Sequence, residues 1–136
     1  MTRAAGLRST YVATATVVAI CVVGLIASNG YVRTQDGDTQ KDLRTVLQAA
    51  QTVRAQKGTY QAMRVGDLIA LTPGLSYTPG SSTGPQQISV AVSGERIVLM
   101  ARSDSGACFW VVDTPYGNGL GKSYPPTPCG ATQILS

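Results

Sequence analysis

The sequence predicts an α+β protein. An N-terminal transmembrane helix leads to an amphipathic helix packed on a small antiparallel β-sheet, and a C-terminal loop is closed by a disulfide. Three observations carry this prediction. No residue from Val12 to Ala27 (VATATVVAICVVGLIA) is charged. Leu43, Val46, Leu47, Ala50 and Val53 then recur at helical spacing. Between residues 87 and 113, three short apolar runs alternate in strand fashion and are separated by turn residues.

Composition bounds what such a chain does. Its 136 residues are 43% apolar and only 13% charged, against about 25% charged in an ordinary soluble domain. The first thirty residues hold two charges, Arg3 and Arg8. These figures exclude a charged disordered tail and a two-domain enzyme of ordinary size, and leave one small domain behind an apolar leader. Histidine is absent, which removes the commonest general base and the commonest metal ligand together. The net charge of +4 includes no basic block that would track phosphates. The expectation is no catalytic residue, no metal, no cofactor, no small-molecule substrate and no nucleic acid as main partner.

Residues 11–31 are long enough, at 1.5 Å per helical residue, to cross about 30 Å of hydrocarbon. Tyr11 and Tyr31 stand at the two ends, where amphipathic rings settle at headgroup level. Arg3 and Arg8 precede the span, and Asp36 and Asp38 follow it. The positive-inside rule therefore puts residues 1–10 in the cytoplasm and residues 32–136 outside, in a single-pass protein of the cytoplasmic membrane. Val12, Val17, Val18, Val22, Val23 and Leu25 would face lipid or neighbouring helices. Ala13, Ala15, Ala19 and Gly24 would allow close approach. A cleaved signal peptide and a buried soluble helix are the alternative readings. Cys21 reads as a packing residue inside the span. Cys108 and Cys129 form an even pair in an exported segment, which reads as a disulfide. A metal pair would need Cys or His partners that are missing.

The elements of residues 32–136 follow in order. Residues 32–38 are polar, and Gly37 offers a bend. Thr39 with Asp42 fits a capping box, so the amphipathic helix is expected over 39–57, with Gly58 as its stop. Gly58-Thr59-Tyr60 is a turn. Arg64–Leu71 is a short helix candidate, halted by Thr72-Pro73-Gly74. Leu75 and Tyr77 begin a short extended piece, and residues 79–85 form a surface loop by composition. Gln87–Ser93 turns Ile88, Val90 and Val92 to one face. Arg96–Arg102 does so with Ile97 and Leu99. Ala107–Asp113 turns Cys108, Trp110 and Val112 one way, and Phe109 and Val111 the other. Short connections favour an antiparallel meander covered by the 39–57 helix. Residues 114–136 read as irregular, stapled by Cys129, with Ile134 and Leu135 in a last short strand.

Several patterns imitate chemistry. Gly80-Ser81-Ser82-Thr83-Gly84 matches G-x-S-x-G, but its flanks are Pro79 and Pro85 and there is no histidine, so a flexible loop is expected. Gly117–Ser123 resembles the end of a phosphate loop, yet Tyr116 occupies the required glycine and Pro125-Pro126 forbid the helix. Asp104 and Asp113 read as solvated turn residues, and Phe109 and Trp110 as core.

The run AAQTVRAQKGTY (49–60), then DLIALTPGLSYTPGSSTGP (67–85), QISVAVS, ARSDSGACFWVVD (101–113) and TPCG (127–130) is similar to the exported domain of actinobacterial pilin-like proteins. The element order resembles type IV pilins and pseudopilins. The resemblance covers roughly residues 39–130. It implies a non-enzymatic minor pilin or pseudopilin of a type IV pilus or type II secretion-like filament. Its partners would be the membrane and other pilin-like subunits or an assembly platform, and it would reach a surface filament. Gly6-Leu7 stands where the family's leader is processed. Arg8 follows directly, and Tyr11 occupies the place of the family's acidic residue. A single-pass anchored extracytoplasmic binding module that does not polymerise is the alternative, with the loops at 79–85 and 114–130 as its recognition surface.

Overall fold

The computed structural model describes residues 34–123 and 128–136. The 11–31 span, its packing residues Val12, Val17, Val18, Val22, Val23 and Leu25, and the Gly6-Leu7 processing point lie outside the described residues. Among the described residues, no helix is long and apolar enough to cross a membrane. The fold is α+β: a long helix packs on a five-stranded sheet, and a disulfide holds the C-terminal segment.

Helix α1 occupies 34–57. It buries Leu43, Val46, Leu47, Ala49, Ala50 and Val53, each at most 8% exposed, and leaves Lys41, Arg44 and Gln48 in water. The expected start at residue 39 is corrected. Thr39 does not cap the helix; it lies wholly buried within it, its hydroxyl donating to the Gln35 carbonyl at 3.1 Å. Gly37 is helical rather than a bend. The extra turn places Asp36 against the sheet, and that tertiary anchor outweighs a weak local capping signal. At the other end the Gly58 N–H donates to the Arg54 carbonyl at 2.7 Å. Gly58 has φ +83°, the left-handed conformation that ends helices and suits glycine.

Helix α2, Val65–Leu71, follows. The Arg64 N–H donates to Asp67 Oδ2 at 2.7 Å, which satisfies an N-terminal donor, and Leu68 is the side chain that α2 buries. The sheet order is β1-β2-β3-β4-β5. β1 (Ser76–Thr78) runs parallel to β2 (Gln87–Ser93) at one edge. β2, β3 (Arg96–Arg102), β4 (Cys108–Thr114) and β5 (Gly117–Ser123) form an antiparallel meander.

Two expectations for the tail are corrected. Residues 117–123 are a strand, not irregular chain. Pairing to β4 supplies the order that their glycine-rich composition does not. Ile134 and Leu135 lie in helix α3, Thr132–Leu135, not in a strand. The Ala131 N–H donates to Ser89 Oγ at 2.9 Å, which starts α3 over the sheet face, where no strand can pair.

The sheet is covered on both faces. On one, α1 and Tyr60 meet Ile88, Ile97, Leu99, Ala101, Phe109 and Val111. On the other, Ala91, Val98, Met100, Cys108 and Val112 meet Cys129 and Ala131, with Trp110, Ile134 and Leu135 at the margin. The alternation expected for all three central strands is observed. Each fully buried aliphatic side chain contributes about 1.5–3 kcal/mol relative to exposure. The second cover, built from the C-terminal segment, has no counterpart in the sequence reading.

Candidate functional site

Polar side chains converge where the two ends of α1 meet the sheet. Beyond its C-terminal end, Tyr60 is fully buried and its hydroxyl donates to Asp113 Oδ2. Arg54 Nη1 lies 3.7 Å from the same oxygen, and Arg54 Nε lies 3.3 Å from Glu95 Oε2. The guanidinium also stacks 5.1 Å from the Tyr60 ring centroid, a favourable cation–π contact. Asp113 is 5% exposed, so its reading as a solvated turn residue is corrected. Burial, and then the bond to the Asp113 carboxylate, push the Tyr60 phenol well above its ordinary pKa. A cleft of about 530 Å³ opens beside the group, between Gln51, Arg54, Gly58 and Asp113.

Toward the first residues of α1, Asp36 Oδ1 accepts hydrogen bonds from Ser103 Oγ at 2.8 Å and Ser105 Oγ at 2.5 Å. Asp36 Oδ2 accepts from Lys122 Nζ at 2.9 Å. Burial opposes the charge of Asp36, but the bonds from Ser105, Lys122 and Ser103 outweigh it and hold the carboxyl below the usual range. The Lys122 ammonium also lies 5.0 Å from the Phe109 ring centroid. In sequence Asp36 is an isolated acid in a polar linker. Its partners lie 67 to 86 residues away, a distance no local pattern reports.

The imitated motifs resolve into structure. Ser82 is 3% exposed, so its loop is held rather than loose. Its Oγ sits 2.9 Å from the Gly84 carbonyl and 2.6 Å from the Gln87 carbonyl, and accepts from the Arg102 N–H at 3.0 Å. The Ser82 N–H donates to the Cys129 carbonyl at 2.9 Å. Gly117–Ser123 is β5. Phe109 enters the helix-side core and Trp110 the opposite face. Cys108 and Cys129 form the expected disulfide, with a Cα–Cα distance of 5.4 Å. Among the described residues, no group of three or more His, Cys, Asp or Glu stands together as a metal site.

The outer surface carries apolar side chains that the sequence reading did not single out. Val65, Ile69 and Leu71 of α2 are 44–50% exposed, Tyr116 at the β4–β5 turn is 99% exposed, and Leu120 is 44% exposed. Comparison of the chain with family models, curated proteins and solved structures gives no match.

Proposed function

We propose that the chain is a non-enzymatic pilin-like subunit, a minor pilin or pseudopilin of a type IV pilus or type II secretion-like filament. It is held in the cytoplasmic membrane by residues 11–31 and assembles through them. One observation carries the reading. A long helix with one apolar stripe, already helical at Thr34, lies on an antiparallel meander whose last segment is stapled by Cys108–Cys129. The apolar stretch ends at Tyr31, and α1 is already helical at residue 34. The converging polar groups support a packing role, because Arg54, Asp113, Asp36 and Ser82 all bond to other parts of the fold.

Intact-mass and N-terminal analysis of protein from the native membrane tests this. Loss of residues 1–6, with a methylated new terminus, is the expected result. Filaments purified without any trace of this chain would sink it. The exposed apolar side chains Val65, Ile69 and Leu71 favour a second reading, an anchored extracytoplasmic module that binds a partner without polymerising. A full-length, unprocessed chain would select that reading.

A further inference from the structure

We propose that copies of the chain meet head to tail, the cleft at Arg96 accepting the Asp38 and Asp42 carboxylates of the next copy's α1. The inference rests on the subunit reading and names a contact for it outside residues 11–31. The cleft holds about 350 Å³ between the β2–β3 and β4–β5 turns, bordered by Ser93, Glu95, Arg96, Thr114, Pro115 and Tyr116. Arg96 Nε is buried and has no hydrogen-bond partner among the described residues, a donor that is costly to leave unmade. Among the described residues Arg96 enters no salt bridge, and the adjacent Glu95 is held by Arg54 Nε at 3.3 Å. Tyr116, on the cleft's border, is 99% exposed. This end of the sheet thus presents a guanidinium without a counter-charge beside an exposed ring, a setting suited to a carboxylate.

The complementary charge stands near the other end of α1. Asp38 and Asp42 are four residues apart on that helix, a spacing at which like charges repel. Neither enters a salt bridge among the described residues. Burial, and then Asp38, hold the Asp42 carboxyl above its ordinary pKa, with Lys41 opposing. Asp38 is exposed and Asp42 half-buried, outside the stripe of Leu43, Val46 and Ala50 that meets the sheet. Arg96 shares the sheet face of Val98 and Met100, the face turned away from α1. A copy translated without rotation therefore sets the outer side of its α1 against that far face, with both helices pointing the same way. Arg54 reaches Glu95, the neighbour of Arg96, and residues 38 and 54 lie about 24 Å apart along α1 at 1.5 Å per residue. A shift of about that length brings Asp38 and Asp42 to the cleft. The contact is heterologous, so it repeats without closing. Every copy keeps one polarity, as a filament assembled through residues 11–31 requires.

Carbodiimide linking of the full chain in native cells tests this. The reagent joins a carboxylate to an amine in direct contact, and positions 96 and 38 of one copy are too far apart for it, so a link between them reports two copies. Arg96→Lys is expected to give a dimer whose linked peptides join position 96 to Asp38 or Asp42. Adding Asp38→Asn and Asp42→Asn should reduce that dimer at least about tenfold, as truncating one side of a charge pair does. Reversing both halves, Asp38→Lys and Asp42→Lys with Arg96→Glu, should restore a link at the same positions. Peptide mapping checks that Cys108–Cys129 stays intact in each variant, which separates a lost contact from a lost fold. A dimer undiminished by the two asparagines, or a processed N-terminus with no link at position 96 in either charge arrangement, would overturn the contact and leave the subunit reading standing. A full-length, unprocessed chain with no linked copies would overturn both.

Discussion

Tyr60 and Asp113 are a buried donor and acceptor that depend on each other unequally. Removing the hydroxyl leaves a carboxylate at 5% exposure, with the Arg54 guanidinium 3.7 Å away. Tyr60→Phe should therefore cost about 1–3 kcal/mol, the desolvation of the orphaned group. For a domain near a hundred residues that lowers Tm by several degrees, about 4–8 °C per kcal/mol. The raised phenol pKa fixes the sign of an alkaline effect. The unfolded chain releases the Tyr60 proton near pH 10 while the folded chain keeps it, so stability is full below about pH 10 and falls above it. Urea melts at pH 9 and 11 should show the fall, and Tyr60→Phe should reduce it. Asp36 runs the other way. Its carboxyl is held low, so its contribution is present above the ordinary carboxylate range, near pH 4, and is lost as pH falls through the folded value. Asp36→Asn should destabilise at pH 7 and flatten the acid limb; an unchanged acid limb would show that the bonds to Ser103, Ser105 and Lys122 do not hold in solution. In sequence Tyr60 stood in a turn and Asp36 in a linker, because the partners that define both residues lie on strands far along the chain.

The β4–β5 hairpin turns on close approach. A Cβ added at Gly121 would lie 2.0 Å from Trp110 Cζ2, so the indole lies where any side chain would stand; at Gly119 it would meet nothing within 4 Å. Gly121→Ala should cost about 1–3 kcal/mol as the ring is forced aside and loosen β5, seen as faster amide exchange over 117–123. Gly119→Ala should leave stability within about 0.5 kcal/mol, as a surface substitution does. Equal effects at the two sites would contradict the packing. The three central strands and the apolar stripe of α1 were legible because a period of 2 or 3.6 is written in the residues themselves. β5 was not, since GNGLGKS has no alternation of apolar and polar residues and pairs only because β4 presents an open edge to it. α3 was missed for a related reason: two apolar residues at a terminus fit a strand as well as a helical turn.

The molecule as a whole depends on its second cover. Residues 128–136 close the face of Val98, Met100 and Val112, held by Cys108–Cys129, by the Ser82 N–H to the Cys129 carbonyl, and by Ala131 on Ser89. The disulfide spans a sequence separation of 21, worth about 3 kcal/mol in the chain-entropy model. Reduction, or Cys129→Ser, should lower stability by about that amount and expose Trp110, read as a red-shifted fluorescence spectrum. An unchanged spectrum would mean that the segment stays seated without its staple. The sequence by itself determined the α+β class, the register of apolar faces on three strands, the helix-side cover and the cysteine pair. Each follows from a local period or from a small count of reactive residues. Tertiary structure alone decided that α1 is already helical at residue 34, that Asp113 and Ser82 are buried, that residues 117–123 form a strand and that the C-terminal segment covers the far face. Those outcomes depend on hydrogen-bond and packing partners brought together from distant positions, and a chain read in order does not display them.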